Sequence, residues 1–404
     1  ARPEMIRPLP APPLVAIACG GTGGHLFPGL AVGEVLAARG LDVLYLVSRK
    51  EVDQQIVRGL PADQVVALPA VGLDGRGTLA FVRAWAASWR EVRRWFRPRP
   101  PGAVLAMGSF TSAPPVLAGR RRGAATFLHE ANAIPGRANR WLAHVVDAAY
   151  VYFPEAAERL WHEHIHPVGM PLREAFRGPA PDPAGCRLAL GLRPDDPVLL
   201  ITGGSQGARA INEMMVRTLP VLRLWEPRLQ VIHLTGPGDF ESVRQAYRAQ
   251  GFPGLVRPFL SEMDLALGAA TAVVSRAGAS FLAELAAWRV PALLVPLPTA
   301  ADNHQFHNAR LFAASGAARL LPQAEATPEK LIWELRALLH EEPLRRALQQ
   351  RLARWHTPEA AERLAEALAA AAHRRQPLAR PTTAPAPAAP ALAPRSETPL
   401  ARST

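Results

Sequence analysis

Cysteine is scarce: Cys19 and Cys186 are the only two in 404 residues, too few for a disulfide framework. Cys19 ends an apolar run and is expected to be a small core residue, and a reducing compartment fits this usage. No apolar stretch is long enough to span a bilayer, so no transmembrane anchor is expected. Residues 1–13 are rich in proline and have no signal-peptide h-region. They are expected to form a flexible leader, and the chain to be cytosolic, touching a membrane at most from outside.

Charge is unbalanced rather than scarce. Charged residues make up 20% of the chain, and the net charge of +12 comes almost entirely from arginine. That balance favours anionic partners such as phosphate substrates, an acidic membrane surface or nucleic acid. No nucleic-acid motif accompanies it, so nucleic acid is not expected as a partner. With 49% hydrophobic residues over this length, two domains with sizeable cores are expected.

Leu14 to Cys19 reads as a buried strand, followed by the loop Gly20-Gly21-Thr22-Gly23-Gly24-His25. A helix follows to about Arg39, with Pro28 expected in its first turn and Gly40 as its stop. Further strands are expected at Val43 to Val47, Ala103 to Met107, Ala124 to Leu128 and Ala148 to Val151. Gly178 to Gly185, rich in Pro and Gly, reads as a linker. The pattern then restarts with the strand Val198 to Ile201, the loop Gly203 to Gly207 and a helix from Ala208 to Leu224. Strands at Gln230 to Leu234, Ala272 to Ser275 and Ala292 to Val295 complete this half.

The alternation predicts an α/β chain of two Rossmann-like domains whose parallel sheets face an interdomain cleft. The expected boundaries are 14–177 for the first domain, 178–186 for the linker and 187–358 for the second domain. A C-terminal helix at 359–375 and a disordered Pro/Ala-rich tail at 376–404 follow.

A glycine turn between strand and helix brings backbone close to an anion, at the positive end of the helix dipole. Such glycines can equally serve only the tight turn. Neither loop carries a dinucleotide fingerprint: Leu26 stands where a third glycine belongs, and no acidic residue ends the second strand at Val47-Ser48. Neither ends in the Gly-Lys-Ser/Thr of a P-loop, and no Asp-x-Asp pair exists for a metal–diphosphate site, so no metal is expected. Arginines or helix dipoles would have to neutralise a departing diphosphate. Ser275 to Ser280 leads from a strand into a helix carrying Glu284, which is either a ribose acceptor or a solvent-facing residue. Asp302 to Ala309 is dense in amides and imidazoles, suited to sugar hydroxyls or to a polar helix start.

Gly20 to Ala31, His129-Glu130-Ala131-Asn132, Gly203 to Arg209 and Ser275 to Glu284 together resemble the MurG family, the bacterial cell-wall N-acetylglucosaminyltransferases. The matches run in family order from about residue 14 to 372. The resemblance implies a GT-B fold and no cofactor. It implies inverting transfer of GlcNAc from UDP-GlcNAc to the MurNAc of undecaprenyl-pyrophosphoryl-MurNAc-pentapeptide, forming a β(1→4) bond. It places the enzyme on the cytoplasmic face of the cell membrane, against an anionic inner-membrane surface.

Carried over by position, the resemblance puts Thr22, Gly23 and Gly24 in a substrate loop and Asn132 near the donor sugar. Arg173 looks like a donor-binding arginine, Ser205 falls at the donor diphosphate, and Leu260 falls where backbone reads uracil. Ala279, Ser280, Phe281, Leu282, Ala283 and Glu284 would hold phosphate and ribose, and Gln305 the GlcNAc hydroxyls. Phe281 replaces a usual Thr, Met170 a usual Asn, and His304 stands where Gln is frequent. His25 is the candidate general base, or else a helix cap or acceptor-phosphate ligand, and Glu130 is the alternative base.

Phe81, Trp85, Trp89, Val92 and Phe96 recur at spacings of 4, 4, 3 and 4, opposite Arg83, Arg90, Arg94 and Arg97. Either this stripe is buried, or with Arg120, Arg121 and Arg122 it meets anionic lipid. Two other functions remain open at this point: a UDP-GlcNAc epimerase on the same fold, and a catalytically silent cell-wall scaffold.

Overall fold

The computed structural model describes residues 11–70, 72, 77–204 and 206–374. Ser205 and the tail at 376–404 lie outside the described residues, as do the first ten of the thirteen leader residues.

The first sheet has seven strands: β1 (Leu14–Ala18), β2 (Asp42–Ser48), β3 (Val65–Leu68), β4 (Ala103–Ala106), β5 (Ala125–Glu130), β6 (Ala148–Val151) and β7 (Ile165–Pro167). Their spatial order is β3-β2-β1-β4-β5-β6-β7. The second sheet holds β8 (Val198–Thr202), β9 (Gln230–Leu234), β10 (Gly254–Arg257), β11 (Ala272–Ser275), β12 (Ala292–Leu294) and β13 (Arg319–Leu320). Its order is β10-β9-β8-β11-β12-β13. The pairings are parallel throughout, with Ile17 opposite Tyr45 and Leu105 in the first sheet and Leu200 opposite Ile232 and Val273 in the second. These are the two parallel-sheet domains expected from the alternation.

Parallel sheets are covered on both faces, which is why β1 is apolar at every position. Val15, Ile17 and Cys19 pack on one face with the helices Gly23–Ala38 and Ala360–Arg374. Leu14, Ala16 and Ala18 pack on the other with Val92 and Phe96 of the helix Gly77–Phe96. Cys19 is a core residue whose thiol pKa is pushed up by burial.

Two local expectations need correction. Pro28 is not in the first turn, because the helix begins at Gly23 and Pro28 lies inside it. Gly178 to Gly185 is not all linker. Asp182 accepts from the Gly185 N–H at 2.8 Å and caps a helix at Pro183–Ala189. The C-terminal helix is present at Ala360–Arg374. It crosses back to the first sheet, where Leu364, Ala365, Leu368 and Ala372 are fully buried.

Both sheets direct the carboxyl ends of their strands toward the seam between the domains. In open parallel sheets that is where ligands bind.

Candidate active site

The first glycine loop leaves β1 and is held from behind. Asp53 is fully buried, and its Oδ2 accepts from the Gly21 N–H at 2.7 Å, the Ser48 N–H at 3.0 Å and the Ser48 hydroxyl at 2.6 Å. Lys50 Nζ donates to the Gly21 carbonyl at 3.0 Å, and the Thr111 hydroxyl to the Gly20 carbonyl at 2.8 Å. Gly21 has a φ of +125°, and a Cβ there would overlap the Ser109 hydroxyl. Only glycine fits this turn. Asp53 and the loop Gly108 to Ser112 were not singled out from sequence. Asp53 lies in a short charged helix that reads as surface, and its burial is tertiary.

The loop opens the helix Gly23–Ala38, and the first-turn N–H groups of Gly23 and Gly24 precede its intrahelical bonds. Thr22 is exposed at the N-cap. His25 is half-buried beside Gly108, and burial lowers its pKa to about 4. Its imidazole is therefore neutral at physiological pH and can accept a proton. Its Nδ1 has no hydrogen-bond partner.

Glu130 closes β5 with its carboxylate fully engaged. Oε1 accepts from the Asn132 N–H at 2.8 Å and its amide at 3.2 Å, and Oε2 from the Gly136 N–H at 3.0 Å and the Asn139 amide at 2.9 Å. Burial pushes the Glu130 pKa up, against these four bonds. This carboxylate shapes a loop and is poorly placed to serve as the alternative base.

From the second domain, Gly207 has a φ of +76° and packs so tightly on Thr235 that a Cβ would overlap its carbonyl. The helix Arg209–Trp225 follows. Asn212 donates to the Thr235 carbonyl and to Asp239, each at 2.8 Å, and accepts from the buried His233 at 3.0 Å. A polar network thus underpins the second glycine loop.

Ala279, Ser280, Phe281, Leu282, Ala283 and Glu284 form the first half of the helix Ala279–Trp288, which opens behind Gly278. Glu284 is not solvent-facing: it is 8% exposed. Burial raises its pKa to about 7, against the opposing charge of Arg173, whose guanidinium lies 3.4 Å away. Arg173 itself stacks on Phe27 at 4.5 Å and Phe176 at 5.3 Å. Gln305 Oε1 accepts from the Leu297 N–H at 3.0 Å, which fixes the amide. Leu260 lies half-buried in the loop after β10.

The domains touch through these same residues. The Ser280 hydroxyl donates to the Gly24 carbonyl at 2.8 Å. Asn308, fully buried, accepts from the Ala133 N–H at 2.9 Å and donates to Asn132 Oδ1 at 3.1 Å and the Ala277 carbonyl at 3.2 Å. Arg140 pairs with Asp302 at 2.6 Å. Asp302 and Asn303 adopt left-handed φ of +49° and +52° just before the helix carrying Gln305. The structure therefore brings Thr22, Gly23, Gly24, His25, Asn132, Arg173, Glu284, Gln305 and the 279–283 turn to one seam, while Leu260 packs against the core of the second domain. Asn308, grouped from sequence with amides suited to sugar hydroxyls, instead spends its own amide on bridging the domains. Among the described residues no cluster of His, Cys, Asp and Glu could hold a metal ion.

Residues 15–151 match the glycosyltransferase family 28 N-terminal domain, and residues 198–369 its C-terminal domain. The chain is 37% identical over 358 residues to a UDP-N-acetylglucosamine--N-acetylmuramyl-(pentapeptide) pyrophosphoryl-undecaprenol N-acetylglucosamine transferase of Anaeromyxobacter dehalogenans (strain 2CP-C), covering 87% of this chain and 91% of that protein. A transferase of the same name from Verminephrobacter eiseniae (strain EF01-2) is 39% identical over 82% of this chain and 92% of its own. The crystal structure of Acinetobacter baumannii MurG superposes with a TM-score of 0.67 at 25% identity, covering 88% of this chain and 99% of that one. A UDP-N-acetylglucosamine 2-epimerase from Listeria monocytogenes also scores 0.67, at 15% identity, a likeness of fold alone.

Proposed function

From the premise that this chain belongs to the MurG family within glycosyltransferase family 28, with its GT-B fold, we propose how its seam performs the family's reaction. The chain is a UDP-GlcNAc-dependent N-acetylglucosaminyltransferase. It moves GlcNAc to the MurNAc of undecaprenyl-pyrophosphoryl-MurNAc-pentapeptide, a step of peptidoglycan synthesis. The sequence relatives carry the transferase name, which sets aside the epimerase and the silent scaffold.

The observation that supports the mechanism is the imidazole of His25, held beside Gly108 in the first turn of the helix behind the first loop, with its pKa lowered by burial to about 4. His25 takes the proton of the acceptor hydroxyl as that oxygen attacks the anomeric carbon from the side opposite UDP. The C–O bond to UDP breaks, and its charge is met by helix N-termini at Ala279 and at the second loop, where Ser205 belongs, and by Arg173. Glu284 accepts from the ribose hydroxyls, Leu260 backbone reads the uracil, and Asn132 and Gln305 hold the GlcNAc hydroxyls. Thr22, Gly23 and Gly24 receive the acceptor diphosphate at the first helix N-terminus. No cofactor takes part.

The test is incubation with labelled UDP-GlcNAc and a lipid-linked MurNAc-pentapeptide acceptor. Acceptor-dependent UDP release with a disaccharide product supports the reading. Sugar-nucleotide turnover without acceptor refutes it.

The acceptor's lipid calls for a membrane surface, and the helix Gly77–Phe96 offers one. Val92 and Phe96 are buried, so that end of the aromatic stripe is core. Toward the start Phe81 and Trp85 are only half-buried, and Leu79 and Val82 are exposed. Arg121 stacks on Trp89 at 4.9 Å, joining the basic cluster to the stripe. Among the described residues no helix is long and apolar enough to cross a membrane. The exposed apolar end beside Arg83 and the Arg121–Trp89 stack supports peripheral attachment to an anionic membrane surface, and the lipid-linked acceptor supports its cytoplasmic face. Binding to anionic vesicles falls when Arg83, Arg90 and Arg121 become Glu, and unchanged binding removes the surface from this role.

A further inference from the structure

An α-helix pairs the N–H of each residue with the carbonyl four positions earlier. In the helix Gly23–Ala38 the donor for the Gly24 carbonyl would be residue 28, and residue 28 is proline. Proline has no N–H, and its ring pushes that carbonyl outward. The first turn therefore has a carbonyl without its helical partner, and Gly24 is exposed toward the seam.

The missing donor comes from the other domain. The Ser280 hydroxyl reaches the Gly24 carbonyl at 2.8 Å. Ser280 is the second residue of the helix Ala279–Trp288 and carries the only hydroxyl between Gly278 and Leu282. The next residue, Phe281, is half-buried against the core of the second domain. Steric exclusion does not explain the meeting, because a Cβ at Gly24 would lie 3.8 Å from the Ser280 oxygen, an ordinary contact. The two elements share a hydrogen bond between a carbonyl that Pro28 deprives of its i+4 donor and a hydroxyl for which this is the one acceptor found among the described residues.

The Gly24 carbonyl belongs to the same rigid peptide plane as the His25 N–H, which donates to the Thr22 carbonyl at 3.1 Å. Fixing the carbonyl fixes the plane from which the imidazole projects. We infer that Ser280 is a positioning residue: by taking the carbonyl that Pro28 leaves open, its hydroxyl latches the donor-side helix to the first glycine loop and sets the Gly24–His25 peptide for catalysis. The consequence for turnover rests on the transferase reading. The latch itself does not.

A double-mutant cycle tests it, because Pro28→Ala returns an N–H to the Gly24 carbonyl and makes the serine redundant. Ser280→Ala is expected to lower kcat about two- to tenfold, the worth of one neutral hydrogen bond, with a smaller change in donor KM. Ser280→Thr, which keeps the hydroxyl, is expected to keep the exchange protection of the His25 and Leu26 amides. In the Pro28→Ala background, Ser280→Ala has little further effect. Hydrogen exchange in the donor-free protein gives a readout that needs no transfer. Ser280→Ala speeds exchange of the His25 and Leu26 amides, and adding Pro28→Ala restores their protection.

The inference is overturned if the two substitutions act independently. It is also overturned if Ser280→Ala leaves both kcat and exchange unchanged, or if it raises donor KM alone without altering exchange, which would make the hydroxyl a phosphate ligand. A wild-type protein that transfers no GlcNAc yet shows the exchange coupling refutes the transferase reading and leaves the latch standing.

Discussion

Replacing Asn308 with alanine probes the seam most directly. The side chain satisfies the Ala133 N–H and the Ala277 carbonyl, which are 3% and 0% exposed. Deleting it strands both groups while the cleft stays shut. A buried polar group left unpaired costs about 1–3 kcal/mol. The Ala277 carbonyl lies in the same domain as Asn308, so its cost lowers the stability of that domain. The Ala133 N–H lies across the seam, and parting the domains hydrates it, so the molecule relieves that share by opening. The observable is hydrogen exchange of the Ala133 amide. At about 1.4 kcal/mol per factor of ten, exchange is expected to quicken by roughly 5- to 150-fold. Donor KM rises as well, since Asn132 loses the amide that orients it. Asn308→Asp keeps the acceptor for Ala133 but sets an oxygen against Asn132 Oδ1 and the Ala277 carbonyl, so it acts in the same direction. Exchange at Ala133 within about threefold of wild type in both variants would falsify the account of the seam.

Other outcomes are equally specific. On the proposed assignment Glu284 accepts from ribose as a carboxylate, and burial raises its pKa to about 7, so donor affinity is expected to strengthen as pH climbs from 6 to 8. Glu284→Gln should flatten that profile, and a flat wild-type profile refutes the assignment. His129 and His233 are buried and neutral, with pKa values lowered by burial to about 4 and about 3. The unfolded chain takes up protons first, so stability is full above about pH 6.5 and declines as pH falls toward 4, by about 1.4 kcal/mol per unit per histidine. Urea midpoints against pH measure this, and His233→Gln should lose one proton's worth of slope. Gly207→Ala combines positive φ with a clash at the Thr235 carbonyl, so it is expected to weaken UDP binding at least tenfold while His25→Gln leaves UDP binding nearly unchanged. Calorimetric titration with UDP checks both.

Much of the architecture was readable because parallel strands covered on both faces become nearly continuous apolar runs. β1 and β8 are apolar at almost every position, and the glycine loops follow each directly. The edge strands β3, β7, β10 and β13 are at most four residues long, and ten of their thirteen positions are at least partly exposed. Proline at helix starts is common enough that Pro28 reads as a first-turn residue. Only the true start at Gly23 shows it inside, where it opens a carbonyl. Asp53 and Asn308 look like ordinary polar helix residues because their burial depends on partners 32 and 175 positions away. Glu284 is similar: the turn it sits on was legible, but its depth was not.

The return of the helix Ala360–Arg374 to the first sheet has a consequence for synthesis as well as for shape. Chain emerges from the ribosome in order, yet one face of the first sheet is covered in part by a helix that lies beyond the whole second sheet in sequence. Leu364 and Leu368 close a layer whose strands began at Leu14. The helix Gly23–Ala38 covers part of that face early, but for the part over β4 and β5 that the later helix covers, the first domain must wait until the whole second domain has been made. Its exposed interval during translation is set by the length of its neighbour, and a chain broken off before residue 360 would carry a sticky first domain however well its second half folded.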